Sequence, residues 1–273
     1  MIAEVCCNYV WRIMAYDTRS ETHSVIAYGF AQTFTTLATD WMSFPQHYLL
    51  YASSGAFRLD IEQTRWFLPP QRAAWIAADV RFRVSITAPV TCASVLFAKD
   101  AIAEPPLPCQ VFTVSPLVRE MFLYAMRWGS DRSSTDIQAD RFFLTLATLC
   151  GELASIPDNS WLPRGHSPEL TRAIEYTLAH LGEQLRFVDV VHVAGVSERT
   201  LARRFVDETH MTWRAFVHRA RMIMAMELLA AGQTTVTETV YATGFESLSA
   251  FSQAFRRFSG KNPSEYRQKF QQR

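Results

Sequence analysis

Arg199 and Arg203 stand four residues apart, and Ser249, Ser252, Gln253 and Arg256 recur at three- and four-residue steps. These side chains suit nucleic-acid recognition. A guanidinium pairs bidentately with guanine, a glutamine amide with adenine, and a serine hydroxyl reaches bases or phosphates. Both spacings put the polar groups on one helical face. The opposite faces are apolar, with Leu201 and Phe205 in the first set and Phe251, Phe255 and Phe258 in the second. The first helix should therefore expose Arg199, Ala202, Arg203 and Val206, and the second Ser249, Ser252, Gln253 and Arg256. For one helix an ordinary solvated face explains this as well; the recurrence favours base reading.

The elements needed to hold such helices are legible around them. Phe187 to Ala194 forms a short apolar helix that runs through Gly195-Val196-Ser197 into a helix from Glu198 to Glu208. Val236 to Ala242 leads through Thr243-Gly244-Phe245-Glu246-Ser247 to a helix over about 248–259. Glycine allows a sharp turn and a small alanine allows close approach, the pattern of a helix-turn-helix. Ser167-Pro168-Glu169 opens the helical run with a capping serine, a first-turn proline and an acid. About seven helices follow. Residues 156–168, IPDNSWLPRGHSP, carry the proline, glycine and serine punctuation of a connection. The expected division is 1–155, a linker at 156–166, and 167–273.

The 273 residues hold 27 basic and 26 acidic side chains. That total masks a split: residues 1–166 hold 13 basic and 15 acidic groups, and 167–273 hold 14 and 11. The basic half is the half with the paired turns. All but three basic residues are arginine, the exceptions being Lys99, Lys261 and Lys269. Two domains fit the length, and 49% hydrophobic content fills two cores. Disorder, collagen and coiled coil are poor descriptions of such a chain.

Residues 167–270 closely resemble the DNA-binding domain of AraC/XylS-type transcriptional regulators. The resemblance is carried by Gly195-Val196-Ser197-Glu198-Arg199-Thr200-Leu201-Ala202-Arg203-Arg204-Phe205, and by Gly244-Phe245-Glu246-Ser247, Phe251, Phe255-Arg256-Arg257-Phe258, Gly260 and Pro263-Ser264-Glu265-Tyr266-Arg267. It implies seven helices and two helix-turn-helix motifs joined by a long helix, here about 212–231. Two recognition helices would then enter successive major-groove segments of double-stranded DNA. It assigns Glu198, Arg199, Ala202 and Arg203 to bases from the first, Leu248, Ser249, Ser252 and Gln253 from the second, and Arg256 to a phosphate. His210 stands where such proteins commonly carry glycine, and Leu248 where a polar reader is common.

In the first unit, alternation through Phe57-Arg58-Leu59-Asp60-Ile61 and Phe82-Arg83-Val84-Ser85-Ile86 marks half-buried strands. Six strands are expected across 47–97, with turns at Ser53-Ser54-Gly55, Pro69-Pro70 and Ala88-Pro89. The fold class is two-domain α+β: an antiparallel β-barrel with accessory helices at about 116–128 and 135–154, then an all-α double helix-turn-helix. In the second accessory helix Ile137, Phe142, Leu146, Leu149 and Leu153 form an apolar stripe, suited to the barrel or to a dimer partner. Residues 40–98 are similar to the cupin-like sensor domain of many such regulators. The positions where relatives carry metal-binding histidines fall on Met42, Phe44 and Phe82, so no metal and no cofactor is expected. His47 remains as a structural histidine. Met42, Phe44, Tyr51, Trp66, Trp75 and Phe82 are expected to line a pocket for an apolar or aromatic effector.

The implied protein is a cytoplasmic regulator, repressor or activator, without a membrane partner. RNA polymerase and a second copy of the chain are the further partners implied. A metal-independent cupin-fold enzyme is the alternative, although no nucleophile paired with a base is found. The start, MIAEVCCNYVWR, lacks the features of a secretion signal. Cys6, Cys7, Cys92, Cys109 and Cys150 fit neither a disulfide framework nor a zinc module. They read as reduced thiols, mostly buried; for the adjacent pair Cys6-Cys7 a redox sensor is the lesser alternative, since reactivity needs an electropositive, exposed setting.

Overall fold

The computed structural model describes residues 25–62, 64–70, 72–156, 161–232 and 234–271. Cys6 and Cys7 lie outside them. Two compact units result: one holds the described residues up to Glu62 and those from Leu68 to Ile156, the other holds Thr64–Phe67 and the residues from Trp161 onward.

In the first unit, β1 (Ala27–Phe34), β2 (His47–Ser54), β5 (Arg72–Ile76), β7 (Val90–Phe97) and β8 (Cys109–Thr113) form an antiparallel sheet in the order β1-β7-β2-β5-β8. A further pair, β3 (Phe57–Ile61) and β6 (Phe82–Ser85), aligns Leu59 with Val84 and Asp60 with Arg83. The unit is thus sheet-rich and antiparallel, with two layers joined by contacts such as Tyr48 to Phe82, ring centroids 5.8 Å apart. Among the described residues no ladder closes these layers into a ring. Asp60 lies in a polar position of the alternating pattern yet is buried, because Arg83 across the strand pair donates to it through Nε at 3.1 Å and Nη2 at 2.5 Å.

Two helices, α1 (Pro116–Ala125) and α2 (Ile137–Ala154), cover one face of the five-stranded sheet. Ser115 and Asp136 cap their first turns, accepting from the backbone of Val118 and Ala139. The buried face of α2 consists of Ala139, Phe143, Leu146, Ala147, Cys150 and Ala154, rotated from the expected stripe. Ile137 is 64% exposed, and Phe142, Leu149 and Leu153 are only partly buried, packed at the margin of the core that Phe143 and Leu146 enter. Cys92 and Cys150 are buried and Cys109 is half-buried. Burial pushes the Cys92 thiol up to about 11 and raises Cys109 and Cys150 as well, so none of the three is a ready thiolate.

The second unit holds α3 (Pro168–Ala179), α4 (Phe187–Ala194), α5 (Glu198–Thr209), α6 (Trp213–Ala231), α7 (Val236–Ala242), α8 (Leu248–Ser259) and α9 (Pro263–Gln271). It is not wholly helical. Trp161–Pro163, inside the expected linker, forms β9, which pairs with β4 (Thr64–Leu68) and aligns Trp66 with Trp161. Arg219 of α6 anchors this ribbon: its Nε donates to the Trp161 carbonyl at 2.7 Å and its guanidinium lies 4.4 Å from the Trp161 ring. No described helix is long and apolar enough to cross a membrane.

Candidate nucleic-acid interface

Helix α4 ends at Gly195, whose φ of +73° reverses the chain, and Arg172 donates to the carbonyl of Ala194 at 2.8 Å. Ser197 then caps α5, accepting from Thr200 N at 3.2 Å. Leu201 and Phe205 are fully buried, and Phe205 meets Phe216 of α6 at 5.8 Å. Arg204 is paired with Glu169 of α3. Glu208 accepts from His166 N at 2.7 Å, Ser167 N at 2.9 Å and Ser167 Oγ at 2.7 Å. Ser167, expected to cap α3 with its side chain, spends its hydroxyl on this contact instead. Burial works against charge on Glu208, and the hydrogen bonds prevail, holding its carboxyl below the ordinary value. These contacts fix the buried side of α5. Glu198, Arg199, Ala202, Arg203 and Val206 are exposed on the other.

The second motif repeats the design with different parts. Thr235 and Glu238 form a reciprocal capping box at the start of α7. Gly244 turns at φ +68° beneath Arg221, whose Nε and Nη2 donate to the carbonyls of Leu181 and Glu183 at 3.1 and 2.8 Å. Ser247 caps α8. Phe251 and Phe255 are fully buried, stacked edge-on against Phe245 at 5.4 Å and Tyr266 at 5.3 Å. Phe258 is only half-buried, unlike the expected third member of that stripe. Leu248, Ser249, Gln253 and Arg256 are exposed and Ser252 is half-buried. Ser252, Gln253 and Arg256 share one open depression with Arg257 and Asn262. Arg257 stands in the motif that carries the family resemblance but is given no contact by it, and Asn262 is not singled out at all; the turn at Gly260 and Pro263 is the signal available for Asn262.

His210 adopts the left-handed conformation at φ +55°, its N–H donating to Val206 O at 3.0 Å. Gly260 closes α8 in the same way at φ +74°. A side chain therefore occupies the left-handed cap of the first motif and a glycine that of the second.

The six residues expected to line one effector pocket fall in three places. Met42, Phe44 and Phe82 do converge: Met42 and Phe82 exchange backbone hydrogen bonds at 2.9 and 2.8 Å, and the Phe44 and Phe82 rings lie 5.4 Å apart. The Phe44 and Phe82 rings pack on Tyr48 between the layers, at 5.3 and 5.8 Å, and all three expected residues are buried. Tyr51 and Trp75 face the other way, under the helices, because strand side chains alternate. Tyr51 stacks on Phe122 of α1 at 4.6 Å and donates its hydroxyl to Pro70 O at 3.0 Å. Trp66 belongs to the β4 and β9 ribbon, 6.4 Å from Trp161. His47 is buried; Ala78 N donates to its Nδ1 at 3.0 Å, leaving Nε2–H for the carbonyl of Lys99 at 3.2 Å. Among the described residues no cluster of His, Cys, Asp or Glu is arranged to hold a metal.

Residues 190–269 match a family model described as a helix-turn-helix domain. The chain is 28% identical over 234 residues, 84% of each chain, to the HTH-type transcriptional regulator NimR of Escherichia coli (strain K12). It is 30% identical over 132 residues to the HTH-type transcriptional activator RhaR of Pectobacterium carotovorum subsp. carotovorum (strain PC1), covering 48% of this chain and 46% of that protein. It therefore spans less than half the length of RhaR. A solved transcriptional regulator with an AraC-type DNA-binding domain, from Chromobacterium violaceum, is 30% identical over 38% of this chain and 94% of that one, with a TM-score of 0.36.

Proposed function

We propose that the chain is an AraC/XylS-type transcriptional regulator and that it reads its DNA site through α5 and α8, set in successive major-groove segments of one duplex, a reading supported by the helix-turn-helix match and the likeness to NimR. In this reading Glu198, Arg199, Ala202 and Arg203 meet bases from α5. Leu248, Ser249, Ser252 and Gln253 do so from α8, and Arg256 grips a phosphate. The observation that carries the proposal is the repeated construction. Each of the two helices is pinned by a fully buried pair, Leu201 with Phe205 and Phe251 with Phe255, while its opposite face is polar and largely exposed. A lone polar face has an ordinary explanation; two so mounted, flanking a 19-residue helix of about 28 Å, suit two adjacent groove segments.

The excess of basic over acidic groups in residues 167–273 is only three, so phosphate attraction alone gives modest affinity. Specificity then rests on the two exposed faces. In the proposed division of labour, residues 1–155 sense and dimerise, 156–166 connect, and 167–273 bind DNA. The regulator works in the cytoplasm as a homodimer, contacts RNA polymerase, controls a neighbouring operon and its own gene, and responds to an apolar or aromatic small molecule. An effector regulates only if it favours one arrangement of the DNA-binding units. A gel shift with the intergenic DNA beside its own gene is the test. A site-specific shift that resists excess unrelated duplex is expected; no such shift there, or in a genome-wide selection, overturns the proposal.

A further inference from the structure

We propose that a half-enclosed cavity beside α2 in the sheet-rich unit is a small-molecule site that takes an uncharged or cationic apolar ligand. The proposal rests on the effector reading above and gives it a location and a chemistry. The cavity measures about 410 Å³, within the range of sites for small molecules. Its floor is Trp75 and Gln110, paired across β5 and β8. One wall is the α2 face bearing Leu144 and Gly151, and the other is the loop following β7 that carries Ile102 and Glu104.

Three features distinguish it from a packing defect. Gly151 lies inside a helix with no left-handed backbone, and a Cβ there would sit 3.8 Å from Trp75, an ordinary contact. Neither backbone nor packing requires glycine, which weakens a helix interior relative to alanine. Its consequence is open space over the indole. Secondly, Trp75 is 6% exposed, and its buried Nε1–H has no hydrogen-bond partner. With that donor closed off from solvent, the indole meets the cavity through its apolar ring surface, beside Gly151. Thirdly, two side-chain donors of the lining are engaged: Gln110 Nε2 donates to Ala154 O at 3.3 Å, and Thr148 Oγ1 to Leu144 O at 2.9 Å. Among the described residues, Glu104 is the only charged side chain lining the cavity. A carboxylate there repels anions and accepts neutral or cationic molecules.

The test titrates the full chain with N-phenyl-1-naphthylamine, uncharged and fluorescent in apolar surroundings, and with 8-anilinonaphthalene-1-sulfonate, the same skeleton bearing a sulfonate. The uncharged probe should bind one site per chain, about tenfold or more tighter than the sulfonate, and Glu104→Gln should narrow that gap. Gly151→Leu should abolish binding by filling the cavity. Leu144→Trp, at a position 43% exposed, should block the same space from the solvent side without disturbing the core. Gly151→Ala should melt no lower than the parent and keep the site. Unchanged probe affinity in both blocking variants, or equal affinity for the sulfonate, overturns the proposal. Gel shifts on the same variants separate the two readings: blocked variants that still shift DNA support this site, whereas a parent chain that binds probe but shifts no DNA defeats the regulatory reading alone.

Discussion

Gly195 and Gly244 occupy matching places in the two helix-turn-helix motifs, yet replacing each with alanine should have very different results. Both have positive φ, +73° and +68°, so alanine pays the left-handed penalty of about 1–2 kcal/mol at either site. A less flexible unfolded chain returns about 0.4–1 kcal/mol of it. At Gly195 nothing more is lost, since the nearest atom to a new Cβ is Arg172 Nη2 at 3.9 Å. At Gly244 the Cβ would lie 2.6 Å from Arg221 Nη2 and 2.9 Å from the Leu181 carbonyl oxygen. The guanidinium cannot simply swing aside, because it donates to two backbone carbonyls. Displacing it forfeits charge-assisted hydrogen bonds of about 1.5–3 kcal/mol each. The expected losses are therefore about 1 kcal/mol for Gly195→Ala and about 3–5 kcal/mol for Gly244→Ala. At roughly 4–8 °C per kcal/mol for a unit of this size, the helical unit of Gly244→Ala should melt at least about 10 °C lower. Thermal unfolding by circular dichroism, with DNA binding followed by fluorescence anisotropy, measures both consequences. Equal losses in the two variants would refute the assignment of Gly244 to a crowded turn.

Other outcomes follow from single contacts. Arg203→Ala should cost about 1–3 kcal/mol of specific affinity and relax base preference at one position; uniform weakening on every sequence would make Arg203 a phosphate contact. Its ion pair with Asp207, 4.0 Å apart and exposed at both ends, is too weak to hold it away from DNA. His210→Gly should leave stability unchanged or raise it by up to about 1 kcal/mol, because glycine accepts φ +55° without the penalty borne by a side chain; a large loss in calorimetry would mean that the imidazole itself holds the turn. Glu208 has a carboxyl lowered from the ordinary 4.5, so it binds protons less readily when folded. Its stabilisation is complete above that value and disappears as pH falls through the folded one. Glu208→Gln should accordingly destabilise the helical unit at neutral pH and flatten its acid unfolding between pH 5 and 3; an unchanged acid slope would remove Glu208 from that role.

The helical unit was readable because each of its signals is local. A glycine at φ +73° or +68°, a serine that caps, and apolar residues at four-residue steps each act within a few residues. The boundaries of α4 to α8 accordingly fall within a residue or two of the sequence reading. What escaped was non-local. Trp161 sits among prolines and a glycine and reads as loop; it becomes a strand because Trp66, far away in sequence, pairs with it and Arg219 on α6 grips its carbonyl and ring. Ser167 has every mark of a capping serine, and its hydroxyl goes instead to Glu208, 41 positions on.

The sensor residues show a different limit. The strands of 47–97 follow from alternation, and counting from Leu49-Leu50-Tyr51 brought Met42, Phe44 and Phe82 to positions that do meet. The mistake was to add Tyr51 and Trp75 to the same wall. Tyr48 and Tyr51 differ by an odd number of residues, so they must lie on opposite faces of β2; Tyr48 joins Phe44 and Phe82, while Tyr51 joins Phe122. Parity within one strand was available from sequence. Which parity faces the second layer and which faces the helices was not, because both faces are apolar and buried: β2 is buried at seven of its eight positions. A strand covered on both sides loses the alternation that normally identifies its inner face. That same double burial is why Trp75 could serve as the floor of a cavity under a helix although its neighbours Ala74 and Ile76 point into the interior between the sheets.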